Sequence, residues 1–105
     1  MSTHPPVRVI GVVPTRNRIE MLRKCLEAVD GQTRKPEHVV IVDNHSNDGT
    51  REWLANLGAS RNDVTVMGMD SNCGGAGGYH FGIRKAYALG ADWIWTLDDD
   101  TVPEH

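Results

Sequence analysis

The chain has 105 residues, a length suited to one small domain with one modest core. Hydrophobic residues make up 39% and charged residues 24%, which excludes a disordered composition. Eleven Lys and Arg against fourteen Asp and Glu give a formal charge of −3, which excludes the basic footprint of a nucleic-acid binder. An anionic ligand would need local donors or a cation.

Residues 1–6 are short, polar and without the apolar stretch of a signal peptide, and read as a disordered tail. The domain proper is expected over residues 7–105. No apolar run reaches the roughly 18 residues of a membrane-spanning helix. Cys25 and Cys73, the only two cysteines, stand in dissimilar contexts and read as the reduced thiols of a cytoplasmic protein.

In chain order, Val7 to Val13 is a β-branched run closed by Pro14, a buried strand. Ile19, Leu22, Cys25, Leu26 and Val29 follow at helical spacing. Asn17 and Glu20 resemble a capping box before that helix, and Gly31 is a plausible stop after it. His38 to Val42 is a second strand ending in Asp43, and Asn44 to Gly49 is a polar loop. Thr50 to Leu57 reads as a helix closed by Gly58, and Val64 to Met69 as a third strand. The glycine-rich stretch Asn72 to Gly78 leads to a helix expected from about Gly78 to Leu89, with Gly90 as its stop. A last strand, Asp92 to Leu97, runs into Asp98, Asp99 and Asp100.

The order βαβαβαβ is the signature of a parallel sheet with crossover helices on its faces. Ligands of such sheets lie outside the carboxyl ends of the strands, where strand order reverses. The unusual clusters, Thr15 to Arg18, Asp43 to Asp48, Asn72 to Gly78 and Asp98 to Asp100, all fall at such ends. One crevice is expected to gather them.

Each cluster has a chemical reading and a plain one. Three adjacent carboxylates repel, and a cation with hard oxygen ligands, Mg²⁺ or Mn²⁺, relieves that repulsion; the alternative is a solvated acidic turn. The glycines Gly74, Gly75 and Gly77, with Asn72 and Ala76, let backbone approach a phosphate at a helix N-terminus; the alternative is a flexible connection. Neither a Walker A loop nor a G-x-G-x-x-G fingerprint is present. Asp43 could accept hydrogen bonds from a ribose or base, or cap its own loop. Arg16 and Arg18 could neutralise a diphosphate, or be a solvated helix start. The five histidines show no metal-ligand spacing, with His80 beside the glycines the one of interest. Trp93 and Trp95 are expected to pack on one face of the sheet, and Cys25 to lie in the core.

The segments Val-Pro-Thr-Arg-Asn-Arg, Val-Asp-Asn-His-Ser-Asn-Asp-Gly-Thr and Leu-Asp-Asp-Asp together resemble the three marks of glycosyltransferase family 2, in the expected order from Val7 onward. The glycine stretch is further similar to bacterial galactofuranosyltransferases and, more loosely, rhamnosyltransferases. The resemblance implies a GT-A fold, a Rossmann-like α/β three-layer sandwich of about four mostly parallel strands. It implies inverting transfer from a nucleotide-diphosphate sugar, UDP-galactofuranose favoured, to a glycan or lipid-linked acceptor in cell wall biosynthesis. Pro14 and Thr15 would then contact uracil or ribose, Asp43 the base, and Asn72 to Gly77 the diphosphate. Arg16 and Asp99 would complete the donor site; Asp98 would touch ribose or metal, and Asp100 would bind Mn²⁺ or Mg²⁺. The family's general base is expected beyond residue 105, so the acceptor half is expected to be absent. The full-length protein would sit in the cytoplasm, peripheral to the inner membrane face. A homo-oligomer through an exposed sheet edge is also expected. The competing classes are a non-catalytic nucleotide-sugar-binding module and a nucleotidyltransferase. The latter is disfavoured because Val13-Pro14-Thr15-Arg16 carries no glycine.

Overall fold

The computed structural model describes residues 8–33, 35–69 and 74–97. Seven elements follow in the expected order: β1 (Val9–Thr15), α1 (Ile19–Asp30), β2 (His38–Asp43), α2 (Thr50–Ser60), β3 (Val64–Gly68), α3 (Gly74–Ala88) and β4 (Trp93–Thr96). All pairings are parallel and the sheet order is β3-β2-β1-β4. The chain steps outward from β1 to β3, then crosses back to place β4 on the free side of β1. Strand order therefore reverses at β1.

Both faces of the sheet are covered, which explains why its central strands read as unbroken apolar runs instead of alternating. On one face Val13, Val39 and Ile41 pack with Leu22, Leu26 and Val29 of α1 and Leu54 of α2. On the other, Ile10, Val12, Val40 and Val42 pack with Ala86 of α3. The result is an α/β sandwich of three layers, as expected. Cys25 is buried in the α1 face, also as expected.

Several boundaries differ from expectation, each for a local reason. β1 extends through Pro14 and Thr15, with Pro14 in register with Val42 and Thr15 with Asp43. The Asn17–Glu20 capping box does not form: Arg18 is the N-cap of α1 and makes no side-chain cap bond. Asn17 sits instead at φ 53° and spends its Oδ1 on the Asn47 N–H at 2.8 Å. Helix α2 runs through Gly58 to Ser60, where a Cβ on Gly58 would lie 3.3 Å from Val66 Cγ2. The small residue serves close packing of α2 on β3 and does not end the helix.

Helix α3 begins at Gly74, about one turn earlier than expected, so the glycines are helical. Their spacing supplies the reason. Gly74, Gly78 and Gly82 recur every four residues and so share one face of the helix. A Cβ on Gly78 would stand 2.9 Å from Pro14 Cβ, and one on Gly82 would stand 2.4 Å from Val12 Cγ1 and 3.0 Å from Val42 Cγ2. Tertiary approach overrides the low helix propensity of glycine here. Gly90 does end the helical region, at φ 88°. Trp93 and Trp95 share a strand face, but only Trp95 packs against the core; Trp93 is 67% exposed.

Candidate functional site

The carboxyl ends of the strands meet along one edge. Thr15 is in register with Asp43, and Asp43 with Gly68. The Asn44 N–H continues the ladder to Thr15 O at 2.8 Å, and the Met69 N–H to Asp43 O at 2.9 Å. On the other flank the Leu97 N–H bonds Val12 O at 2.9 Å, so β4 leaves the sheet at the same edge. This edge at β1 is where the strand order reverses, the position at which open α/β sheets bind ligands.

The loops after β1 and β2 are clasped to each other. The Asn17 N–H donates to Ser46 Oγ at 2.9 Å while Asn17 Oδ1 accepts from the Asn47 N–H. Asn17 and His45 are the two non-glycine residues held at positive φ among those described. Asn tolerates this conformation better than most residues, because its short side chain can bond locally. The clasp fixes where Arg16 and Asn44 stand. Arg16 is exposed and Asn44 buried. Helix α3 closes the third side, its Gly78 against the Pro14 ring. The N–H groups of the first turn of a helix have no intrahelical partners and carry a positive dipole end. Gly74, Gly75, Ala76 and Gly77 supply that turn.

Asp43 is 1% exposed. Its Oδ1 accepts from the Ser46 N–H at 3.2 Å, and its Oδ2 from Arg51 Nε at 3.3 Å. It caps its own loop, which was the plain alternative. Arg51 Nη2 in turn donates to Met69 O at 2.8 Å, tying the first turn of α2 to the end of β3. Asp43 and Arg51 line the upper end of an open cleft of about 600 Å³ between α2 and β3. Sequence reasoning passed over Arg51. A usable signal existed: a cation in the first turn of a helix opposes the dipole there, so its presence calls for an acceptor nearby.

The expected site residues divide as follows. Pro14, Thr15, Arg16 and Asp43 lie along one edge with the first turn of α3. Asn72, Asp98, Asp99 and Asp100 lie outside the described residues, as do Cys73 and the expected tail at 1–6. Arg18 is at the exposed start of α1. His80 is exposed and makes an edge-on ring contact with Phe81, with centroids 5.4 Å apart. Among the described residues no group of three His, Cys, Asp or Glu side chains could hold a metal ion. No helix among them is long and apolar enough to cross a membrane.

Three comparisons bear on this edge. Residues 12–105 match the family model described as Glycosyl transferase family 2. The chain is 45% identical over 101 residues to the galactofuranosyltransferase GlfT1 of Mycolicibacterium smegmatis, covering 96% of this chain and 32% of that protein. It thus spans about a third of that relative. Among solved structures, S. aureus TarS 1-349 in complex with UDP superposes with a TM-score of 0.73 at 22% identity, over 90% of this chain and 28% of that one. The mannosyltransferase PcManGT of Pyrobaculum calidifontis, in complex with GDP-Man and Mn²⁺, gives 0.74 at 24%, over 98% and 30%. At such identities the structural likeness carries the fold: the sandwich is the GT-A arrangement.

Proposed function

Because the chain belongs to glycosyl transferase family 2, we propose that it forms the donor-binding part of an inverting glycosyltransferase that takes a UDP-sugar, UDP-galactofuranose favoured. The observation that supports this most is convergence. Pro14, Thr15 and Arg16, the Asp43 loop and the first turn of α3 come from three separate segments and meet at the one edge where strand order reverses. The printed name of the GlfT1 relative, a galactofuranosyltransferase, supports galactofuranose as the sugar transferred; the acceptor we propose is a glycan or lipid-linked sugar.

In this reading each group has a physical task. The clasped loops give a nucleoside a fixed shelf, with Asp43 and Arg51 marking its base end. The free N–H groups at the start of α3 face the diphosphate, in a chain too acidic overall to attract it unaided. Arg16, exposed beside the shelf, adds a positive charge. Asp98, Asp99 and Asp100 follow β4 in sequence after Leu97, and three hard-oxygen donors suit Mg²⁺ or Mn²⁺. Asp98 and Asp100 would hold that ion, with Asp98 also serving the ribose and Asp99 a lesser part of the donor site. Such an ion supplies Lewis-acid stabilisation of a departing diphosphate. No residue of this chain is assigned as the general base.

The test is sugar transfer by the purified chain from UDP-galactofuranose to a galactan acceptor, beside UDP binding by calorimetry. With no general base assigned in this chain, UDP binding without useful transfer is the expected result; transfer at an appreciable rate would place a base among these residues, and absence of UDP binding removes the reading altogether.

A further inference from the structure

Asn17 stands just ahead of α1, where the local use of its side chain would be to cap that helix. It does not do so: Arg18 is the N-cap and makes no side-chain cap bond. The ladder between β1 and β2 carries as far as the Asn44 N–H, which reaches Thr15 O at 2.8 Å. Beyond that point Asn17 supplies two more bonds to the second loop, 29 and 30 residues away in sequence. Its N–H donates to Ser46 Oγ at 2.9 Å, and its Oδ1 accepts from the Asn47 N–H at 2.8 Å. Ser46 is buried and passes the contact on, its own N–H donating to Asp43 Oδ1 at 3.2 Å. A single residue at φ 53° thus joins the segment that bears Arg16 to the loop that bears Asp43.

A side chain that forgoes its own helix for a bond across a crevice stabilises the crevice. Ordering two loops around a ligand costs conformational entropy, and loops already held in one geometry avoid that cost. We propose that Asn17 is a positioning residue for the donor: it locks the loops after β1 and β2 into one preformed unit, so that a nucleotide diphosphate meets both at once. This rests on the nucleotide-sugar reading above and adds to it the residue that joins the two halves of the site. Both features of Asn17 count. Its left-handed backbone disfavours most side chains, and its acceptor oxygen is something glycine, which takes the same conformation freely, does not have. Aspartate keeps both.

The experiment titrates UDP, with Mn²⁺ present, into the full chain and the variants Asn17→Gly and Asn17→Asp by calorimetry. A urea midpoint and amide hydrogen exchange accompany each. Asn17→Gly is expected to weaken UDP binding about five- to tenfold, the worth of one hydrogen bond, in a chain that its urea midpoint shows to be folded. At 0.15 M salt, where an added charge is screened beyond roughly 8 Å, Asn17→Asp should retain most of the affinity. Hydrogen exchange separates positioning from a merely structural role. The Asn47 N–H should exchange slowly in the wild type with or without UDP, but fast in Asn17→Gly until UDP slows it, because the ligand then does the ordering. Wild-type UDP affinity in Asn17→Gly, or a loss in Asn17→Asp as large as in Asn17→Gly, overturns the proposal and leaves the nucleotide reading intact. If the wild type binds no UDP, the nucleotide reading fails and this proposal falls with it.

Discussion

Asp98, Asp99 and Asp100 carry adjacent negative charges, and two such charges about 4 Å apart cost on the order of 4 kcal/mol at an effective dielectric near 20. In extended chain, alternation turns Asp98 and Asp100 one way and Asp99 the other. Asp100→Asn should therefore remove most metal-dependent UDP affinity, Asp99→Asn least, with Asp98→Asn between them. All three variants should fold, since losing a charge relieves repulsion in the metal-free state. Calorimetry in the presence of Mn²⁺ ranks them, and three equal affinities would point to a solvated turn. His38 offers a separate test. Burial first, then the nearby Arg8, lowers its pKa from 6.5, against a smaller opposing effect of Asp63. The folded state thus binds fewer protons than the unfolded state just below pH 6.5. Stability is full above that value and declines as pH falls through the folded pKa. Urea midpoints should drop between pH 7 and pH 5, and His38→Gln should flatten that slope. Asp63 adds a lower window. Its hydrogen bond to Arg61 lowers its pKa from 3.8, so that contribution is lost only on further acidification.

The glycines of α2 and α3 make opposite predictions from similar composition. Gly82→Ala gains the roughly 1 kcal/mol helix preference of alanine but drives a Cβ to 2.4 Å from Val12 and 3.0 Å from Val42. Both valines are fully buried on central strands and have little room to yield. Overpacking of this kind costs about 1–3 kcal/mol, so the net effect should be destabilising. Gly58→Ala meets only Val66, at 3.3 Å on an edge strand and half-buried. There propensity should win, with a gain of up to about 1 kcal/mol. Urea denaturation of the two variants reads both signs. These positions also show what the sequence revealed and what it hid. The four strands were legible because a parallel sheet covered on both faces needs β-branched runs such as Val39 to Val42, a pattern with few alternatives. Helix ends were less legible, since glycine reads as a breaker until the partner that requires it is known. Gly58 and Gly74 to Gly78 were misplaced for that reason, the helices continuing where close approach demanded it. Asn17 was legible as a special residue but not in its role: its side chain serves the Asp43 loop across the edge, a pairing 30 residues apart. The site was legible as four clusters because each follows a strand. Arg51 was not, because its partner Asp43 acquires meaning only once α2 folds back over it.

On the scale of the whole molecule, reversal of strand order at β1 sets the crevice, and the free edges of the sheet set its neighbours. Among the described strands β4 is an edge, and Trp93, paired with Val9, stands 67% exposed on it. Exposed edges bearing large apolar side chains recruit partners. The 105-residue polypeptide is therefore expected to self-associate at moderate concentration, and Trp93→Lys to reduce this; light scattering that shows a monomer for both would argue against it. Binding of a nucleotide diphosphate at this edge with the help of a cation is tested most directly by titrating UDP into the purified chain, with Mn²⁺ and then with a chelator. Weak binding without metal, clear tightening with Mn²⁺, and loss of that tightening in Asp100→Asn are expected. UDP affinity unchanged by metal, or an Asp100→Asn variant that responds to Mn²⁺ like the wild type, would contradict cation-assisted binding.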